Sequence, residues 1–171
     1  FGDELAAGKI EMNLSNIAAR RSLHREAEKH GLSALRRFIA VGEKTWQTMA
    51  ENDLANTYTE LNDFRKAERY YGRALATARA ARMLVTEAEI EASMGNLALL
   101  RGDYADALRY LELSRRKYEL LNLPHQTAIA DLEIAANFLK LAAVTAAGWW
   151  FLQFFEAVSW IVLVALLFVP V

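Results

Sequence analysis

Apolar and small residues recur at intervals of three and four along the chain from about residue 5 to residue 140. Leu54, Tyr58 and Leu61 show this spacing, which is typical of helices with one buried face. No stretch of useful length alternates apolar and polar residues as a strand would. The pattern therefore predicts paired helices over about 5–20 and 24–42, 44–61 and 64–82, and 84–101 and 104–121, with a seventh helix over 124–140.

The same pattern returns every 40 residues, which is the most informative feature of the sequence. The triplet Leu14-Ser15-Asn16 recurs as Leu54-Ala55-Asn56 and as Met94-Gly95-Asn96. A fixed period of this size indicates stacked units that bury their apolar faces against their neighbours. The repeats span about 8–47, 48–87 and 88–127, and we expect function on a surface and not in an enclosed pocket.

Small residues mark where the two helices of each pair should cross. Ala27, Ala67 and Ala107 share one position of the repeat. Only a methyl group allows close approach of two helices there. The turns that precede these alanines contain residues that accept left-handed or capping backbone geometry, namely Ser22, Asn62 and Gly102.

The order of these residues resembles the tetratricopeptide repeat. Residues 52–75 carry that family's leucine, small, tyrosine, turn, aromatic and alanine positions in sequence, and the third copy matches nearly as well. The first copy departs from the pattern, since His24 and Gly31 replace aromatic residues. The resemblance covers about residues 6–120. It implies an all-α fold, an α-solenoid of antiparallel helix pairs, with a repeat domain over 5–140.

The resemblance also implies a concave groove, lined by the first helix of each pair, that receives a partner peptide or helix. Asn16, Asn56 and Asn96 occupy one position of these helices, and an amide can both donate to and accept from the main chain of a ligand. The alternative is that they are solvated polar residues. The other candidate groove residues are Asn52, Thr59, Glu60, Leu99 and Leu100, and the groove becomes more apolar towards the third repeat.

Composition excludes several kinds of chemistry. The chain has no cysteine, so disulfides and thiolate catalysis are absent. Residues 1–140 hold all 20 Lys and Arg and 20 of the 21 acidic residues, and this balance does not favour nucleic-acid binding. We find no catalytic motif, metal-ligand spacing or cofactor fingerprint. Helix-face carboxylates such as Glu87, Glu89 and Glu91 are expected to be solvated.

The last 30 residues, 142–171, differ sharply from the repeats because Glu156 is their only charged residue. From Trp149 to Val169 they would form an apolar helix about 31 Å long, which matches the hydrocarbon thickness of a bilayer. The sequence therefore predicts a membrane-spanning or membrane-embedded segment, with a partner-facing role for Glu156. Its expected lipid contacts are Trp149, Trp150, Phe151, Phe155, Trp160, Ile161, Leu163 and Leu167.

Two functional hypotheses follow. In the first, the chain is a non-enzymatic adaptor that binds a protein in its groove and is anchored to a membrane complex, with the repeats facing the cytoplasm. In the second, it is a regulatory fragment of a larger signalling protein whose tail self-associates or docks on an effector domain. For the tail itself, a degenerate fourth repeat and a segment not native to the repeats also stay open.

Overall fold

A computed structural model describes residues 2–167 of the chain, with side chains described for residues 3–150 and Gln153. All regular structure within residues 2–167 is helical. The helices are α1 (Gly2–Arg20), α2 (His24–Val41), α3 (Lys44–Glu60), α4 (Phe64–Ala80), α5 (Leu84–Arg101), α6 (Tyr104–Leu120) and α7 (Pro124–Leu167). Each helix packs on the next one in the chain, so the pairs α1–α2, α3–α4 and α5–α6 form the predicted stack.

Each turn between these helices contains one residue with positive φ, and the six lie at every twentieth position: Ser22, Gly42, Asn62, Arg82, Gly102 and Asn122. The following residue donates its backbone N–H to a carbonyl five residues earlier, as from Asp63 to Tyr58 at 2.9 Å. This is the Schellman arrangement, which ends a helix by satisfying its last carbonyl groups. The bounds of the first six helices agree with the predicted ones to within three residues.

The predicted helix-crossing alanines are completely buried, since Ala27, Ala67 and Ala107 are each 0% exposed. Ser15 donates to the carbonyl oxygen of Ala27 at 2.8 Å, so the two helices of the first pair touch at this point. Gly31 explains the missing aromatic residue of the first repeat. A Cβ atom there would lie 2.9 Å from Cδ2 of Leu54, so glycine makes room for the leucine of the next repeat.

The prediction of a separate apolar helix over 142–171 is wrong in one respect, because α7 runs without a break from Pro124 to Leu167. The register explains the difference. Position 142 corresponds to Ser22, Asn62 and Gly102, but it holds alanine, the strongest helix former. No residue suited to positive φ stands there, so the helix continues instead of turning into a fourth pair.

Candidate partner-binding groove

The first helices of successive pairs lie side by side, since α3 contacts both α1 and α5 directly. This contact brings the predicted asparagines onto one surface. Asn16 is half-buried, whereas Asn56 and Asn96 are exposed. Between α1 and α3 the surface forms a depression of about 490 Å³, whose lining includes Asn16, Asn56, Asp53 and Glu60. The structure thus brings together the asparagines of the first two repeats with one further predicted residue, Glu60.

Asn56 is held in place by the core of its own repeat. The buried hydroxyl of Tyr71 on α4 donates to Oδ1 of Asn56 at 2.6 Å. This bond fixes the direction of the carbonyl oxygen and uses one of its two lone pairs, and the two N–H donors of Nδ2 point away from it. In this orientation Asn56 presents donors, which suits the carbonyl groups of an extended chain.

Acidic residues of the next first helix approach the other two asparagines. Nδ2 of Asn96 lies 3.4 Å from Oε1 of Glu133, which stands 37 residues later. Asp53 stands 37 residues after Asn16. Burial raises the pKa of Asp53 to about 6, against the lowering effect of a hydrogen bond from Asn16, and the nearby Glu89 raises it further. These carboxylates could accept from the N–H groups of a ligand.

The remaining predicted groove residues lie around this surface. Asn52 and Thr59 are half-buried, and the hydroxyl of Thr59 donates to the carbonyl of Ala55 at 3.0 Å. Oδ1 of Asn52 is buried without a hydrogen-bond partner in the described part of the chain. Leu99 is half-buried and Leu100 is 64% exposed, and neither lines the depression between α1 and α3.

The expectation that Glu87 and Glu91 are solvated is wrong. Glu91 is 0% exposed and Glu87 is 8% exposed. Arg79 on α4 and Lys117 on α6 each contact both carboxylates, with the Arg79 contacts at 3.0 Å. Glu51, the equivalent of Glu91 one repeat earlier, is also fully buried and lies 2.6 Å from Nη2 of Arg73.

Sequence reasoning overlooked these buried acids, although a signal was present. Glu11, Glu51, Glu91 and Asp131 recur every 40 residues, so each first helix carries an acid at the same position. Each is paired with a cation or with histidine, as where Oε2 of Glu11 lies 2.6 Å from Nδ1 of His30. A charged residue that recurs at a core-facing register position indicates a buried ion pair, because an unpaired charge there would cost too much.

The next predictions concern the apolar tail, residues 142–171. Within the described residues no helix combines the length and apolar character needed to cross a membrane. Trp149 and Trp150 are exposed, at 62% and 73%. The other expected lipid contacts, together with Glu156, lie outside the described side chains: Phe151, Phe155, Trp160, Ile161, Leu163 and Leu167. Within the same limits, no group of three or more acidic or histidine side chains could hold a metal ion.

Comparison with known proteins agrees with this geometry. Residues 7–80 match the model of the tetratricopeptide repeat family. The predicted resemblance to that family is therefore confirmed, and the match covers the first two helix pairs. A comparison with curated proteins gives no match.

Among solved structures, the chain resembles a Rap protein complexed with Competence and Sporulation Factor. The TM-score is 0.77 at 18% sequence identity, and the similarity covers 86% of this chain and 41% of the Rap chain. At this identity the likeness establishes the fold alone. The chain thus corresponds to less than half the length of the Rap protein.

Proposed function

We propose that this protein is a non-enzymatic interaction scaffold whose first helices bind a protein partner, either an extended peptide or a helix. The observation that carries the proposal is the depression shared by Asn16 and Asn56 on neighbouring first helices. A row of amides can bind the main chain of a ligand without reading its side chains. Specificity would then come from the surrounding side chains.

The fixed orientation of Asn56 supports the proposal. An exposed amide with no function would gain little from a buried hydroxyl that sets its direction, whereas a binding residue gains preorganisation. The raised pKa of Asp53 supports it as well, since a partly buried carboxylate that has no cationic partner among the described residues favours a ligand that supplies a donor. The Rap protein, which shares this fold over 41% of its length, was solved in complex with Competence and Sporulation Factor, and this supports the proposal.

Site-specific crosslinking tests this proposal directly. A photoreactive amino acid at Glu60 places the probe in the depression, and the same probe at Ala76, which is exposed on α4, serves as the control. We expect one partner to be captured from Glu60 and not from Ala76. Capture of the same partner from Ala76 alone would move the binding surface to the second helices.

We further propose that the part of α7 around Trp149 and Trp150 is a second contact surface, because both side chains are exposed to solvent. This surface has two candidate roles. One is membrane association, with the repeats in the cytoplasm, and the other is docking on an effector domain. In both, the chain divides near residue 140 into a repeat domain and a contact segment. Removal of residues 142–171 separates the two roles. Loss of co-sedimentation with lipid vesicles on this removal supports the membrane role, whereas loss of self-association or effector binding, in a chain that does not bind vesicles before the removal, supports docking.

A further inference from the structure

The first helix α1 repeats the surface of α5, 80 residues later. Along one side of α1 lie Ile10, Glu11, Leu14 and Ile17, and Arg21 directly follows the helix. The matching residues of α5 are Ile90, Glu91, Met94, Leu97 and Arg101. Each member of one set has the same chemical character as its counterpart. The two helices therefore present nearly the same apolar stripe, with an acid near its start and an arginine at its end.

The two stripes differ in what covers them. Ile90 is 0% exposed and Leu97 is 4% exposed, whereas Ile10 is 61% exposed and Ile17 is 53% exposed. Leu14 is likewise 41% exposed, although its counterpart in the second repeat, Leu54, is 1% exposed. Three large apolar residues of α1 thus stay in solvent at positions that the later repeats bury.

The helix α4 covers the stripe on α5. Tyr71, Leu75 and Ala78 of α4 belong to the same buried core as Ile90 and Leu97. Ion pairs flank this contact at both ends. Arg101 of α5 binds Glu68 near the start of α4, and Glu91 of α5 binds Arg79 near its end.

We propose that the outer face of α1 is a docking surface for the second helix of another tetratricopeptide-type helix pair. The occupant has the chemistry of α4: a stripe of aromatic, aliphatic and small residues that runs antiparallel to α1, an acid opposite Arg21 and a base opposite Glu11. Glu11 has room for this base. It is paired with His30 of its own repeat, whereas Glu91 binds one cation from its own repeat and one from the preceding helix.

A second copy of this chain does not supply such a helix from its ends. At the other end of the stack, α7 packs on α6 in the manner of a first helix, with Ala130 at 1% exposure where Ile90 is buried in the third repeat. Both ends of the described stack are therefore first helices. The surface on α1 is shaped to contact the second helix of a pair, and we infer that this helix comes from another helix-pair unit.

The proposal can be tested by fusing a further helix pair of this chain to α1 with the same spacing as the natural repeats. Residues 44–83, which comprise α3, α4 and the following turn, are joined directly to Glu4 of the otherwise intact chain. Because Glu4 stands 80 residues before Leu84, the added copy of α4 meets α1 with the spacing of the natural contact between α4 and α5. We expect the Tm to rise by about 5 °C or more relative to the parent chain.

The matched control is the triple variant Ile10→Gln, Leu14→Gln and Ile17→Gln, made in the parent and in the fused chain. It should change the Tm of the parent little, because 41–61% of the surface of each of the three residues is already exposed, and it should abolish the gain in the fused chain. An unchanged Tm on fusion overturns the proposal, and so does a gain that survives the triple variant. A parent chain that is dimeric by light scattering, and that the triple variant makes monomeric, would assign the surface to a second copy instead.

Discussion

Nη2 of Arg79 lies 3.0 Å from Oε1 of Glu91, so a residue at the end of the second repeat binds a carboxylate buried at the start of the third. Lys117 binds the same carboxylate from α6. The acid thus links three consecutive helices. This arrangement makes the junction between repeats depend on a charge that has no access to solvent.

We expect Glu91→Gln to lower the free energy of unfolding by about 2–3 kcal/mol, because it neutralises the more deeply buried of the two carboxylates that Arg79 and Lys117 share. Glu89→Gln is the matched control. Glu89 lies two residues away and most of its surface is exposed. Its carboxyl group is nevertheless partly buried, and this raises its pKa, so its neutralisation should cost nothing. Urea unfolding of both variants measures the difference, and equal effects would show that the ion pairs add no stability.

Enlarging a crossing residue should destabilise the repeat core. Ala67 is completely buried where α4 crosses α3, so Ala67→Leu should cost about 1–3 kcal/mol through overpacking. Ala76→Leu, at an exposed site of the same helix, should leave stability nearly unchanged. Thermal unfolding distinguishes the two variants, and an unchanged Tm for Ala67→Leu would contradict the assigned register.

The turn between α4 and α5 holds an arginine in a conformation that favours glycine. Arg82 has φ of 54°, whereas the equivalent turn between α2 and α3 has Gly42 at φ of 74°. We expect Arg82→Gly to raise stability by up to about 1 kcal/mol, since the left-handed conformation costs a residue with a Cβ atom more than it costs glycine. Arg69→Gly, in the interior of α4, should instead lower stability by about 1 kcal/mol. A loss from both substitutions, measured by chemical denaturation, would contradict this account of the turn.

The period of the sequence was sufficient to predict the helices and the crossing alanines, because turns and close contacts each demand particular residues. The unbroken course of α7 was missed, although the alanine at position 142 was the signal. Pairing across the stack is harder to predict. The approach of Asp53 to Asn16, or of Arg79 to Glu91, depends on how successive repeats sit against each other, and local periodicity does not specify this.

Asp53 should make stability depend on pH. Its pKa is about 6 in the folded chain against a reference value of 3.8, so the folded state binds the proton more tightly than the unfolded state. The stability that this proton contributes is complete below about pH 3.8 and is lost as the pH rises through about 6.

Asp53→Asn removes this dependence. Relative to the parent chain, the variant should gain up to about 3 kcal/mol at pH 8, and the gain should vanish near pH 4. Glu112→Gln, which replaces an exposed carboxylate on α6, serves as the control and should show no such trend. A gain for Asp53→Asn that is independent of pH would assign the effect to packing instead of ionisation.

If the first helices form the partner-binding surface, variants of the groove should bind the crosslinked partner more weakly than the parent chain does. The Kd of this partner is therefore the decisive measurement. Isothermal titration would compare the parent chain with Asn56→Ala/Asn96→Ala, in which two exposed amides are lost. We expect a Kd about 5- to 150-fold weaker with unchanged helicity, since two lost hydrogen bonds at about 0.5–1.5 kcal/mol each amount to about 1–3 kcal/mol. An unchanged Kd would contradict the claim and place the partner elsewhere on the protein.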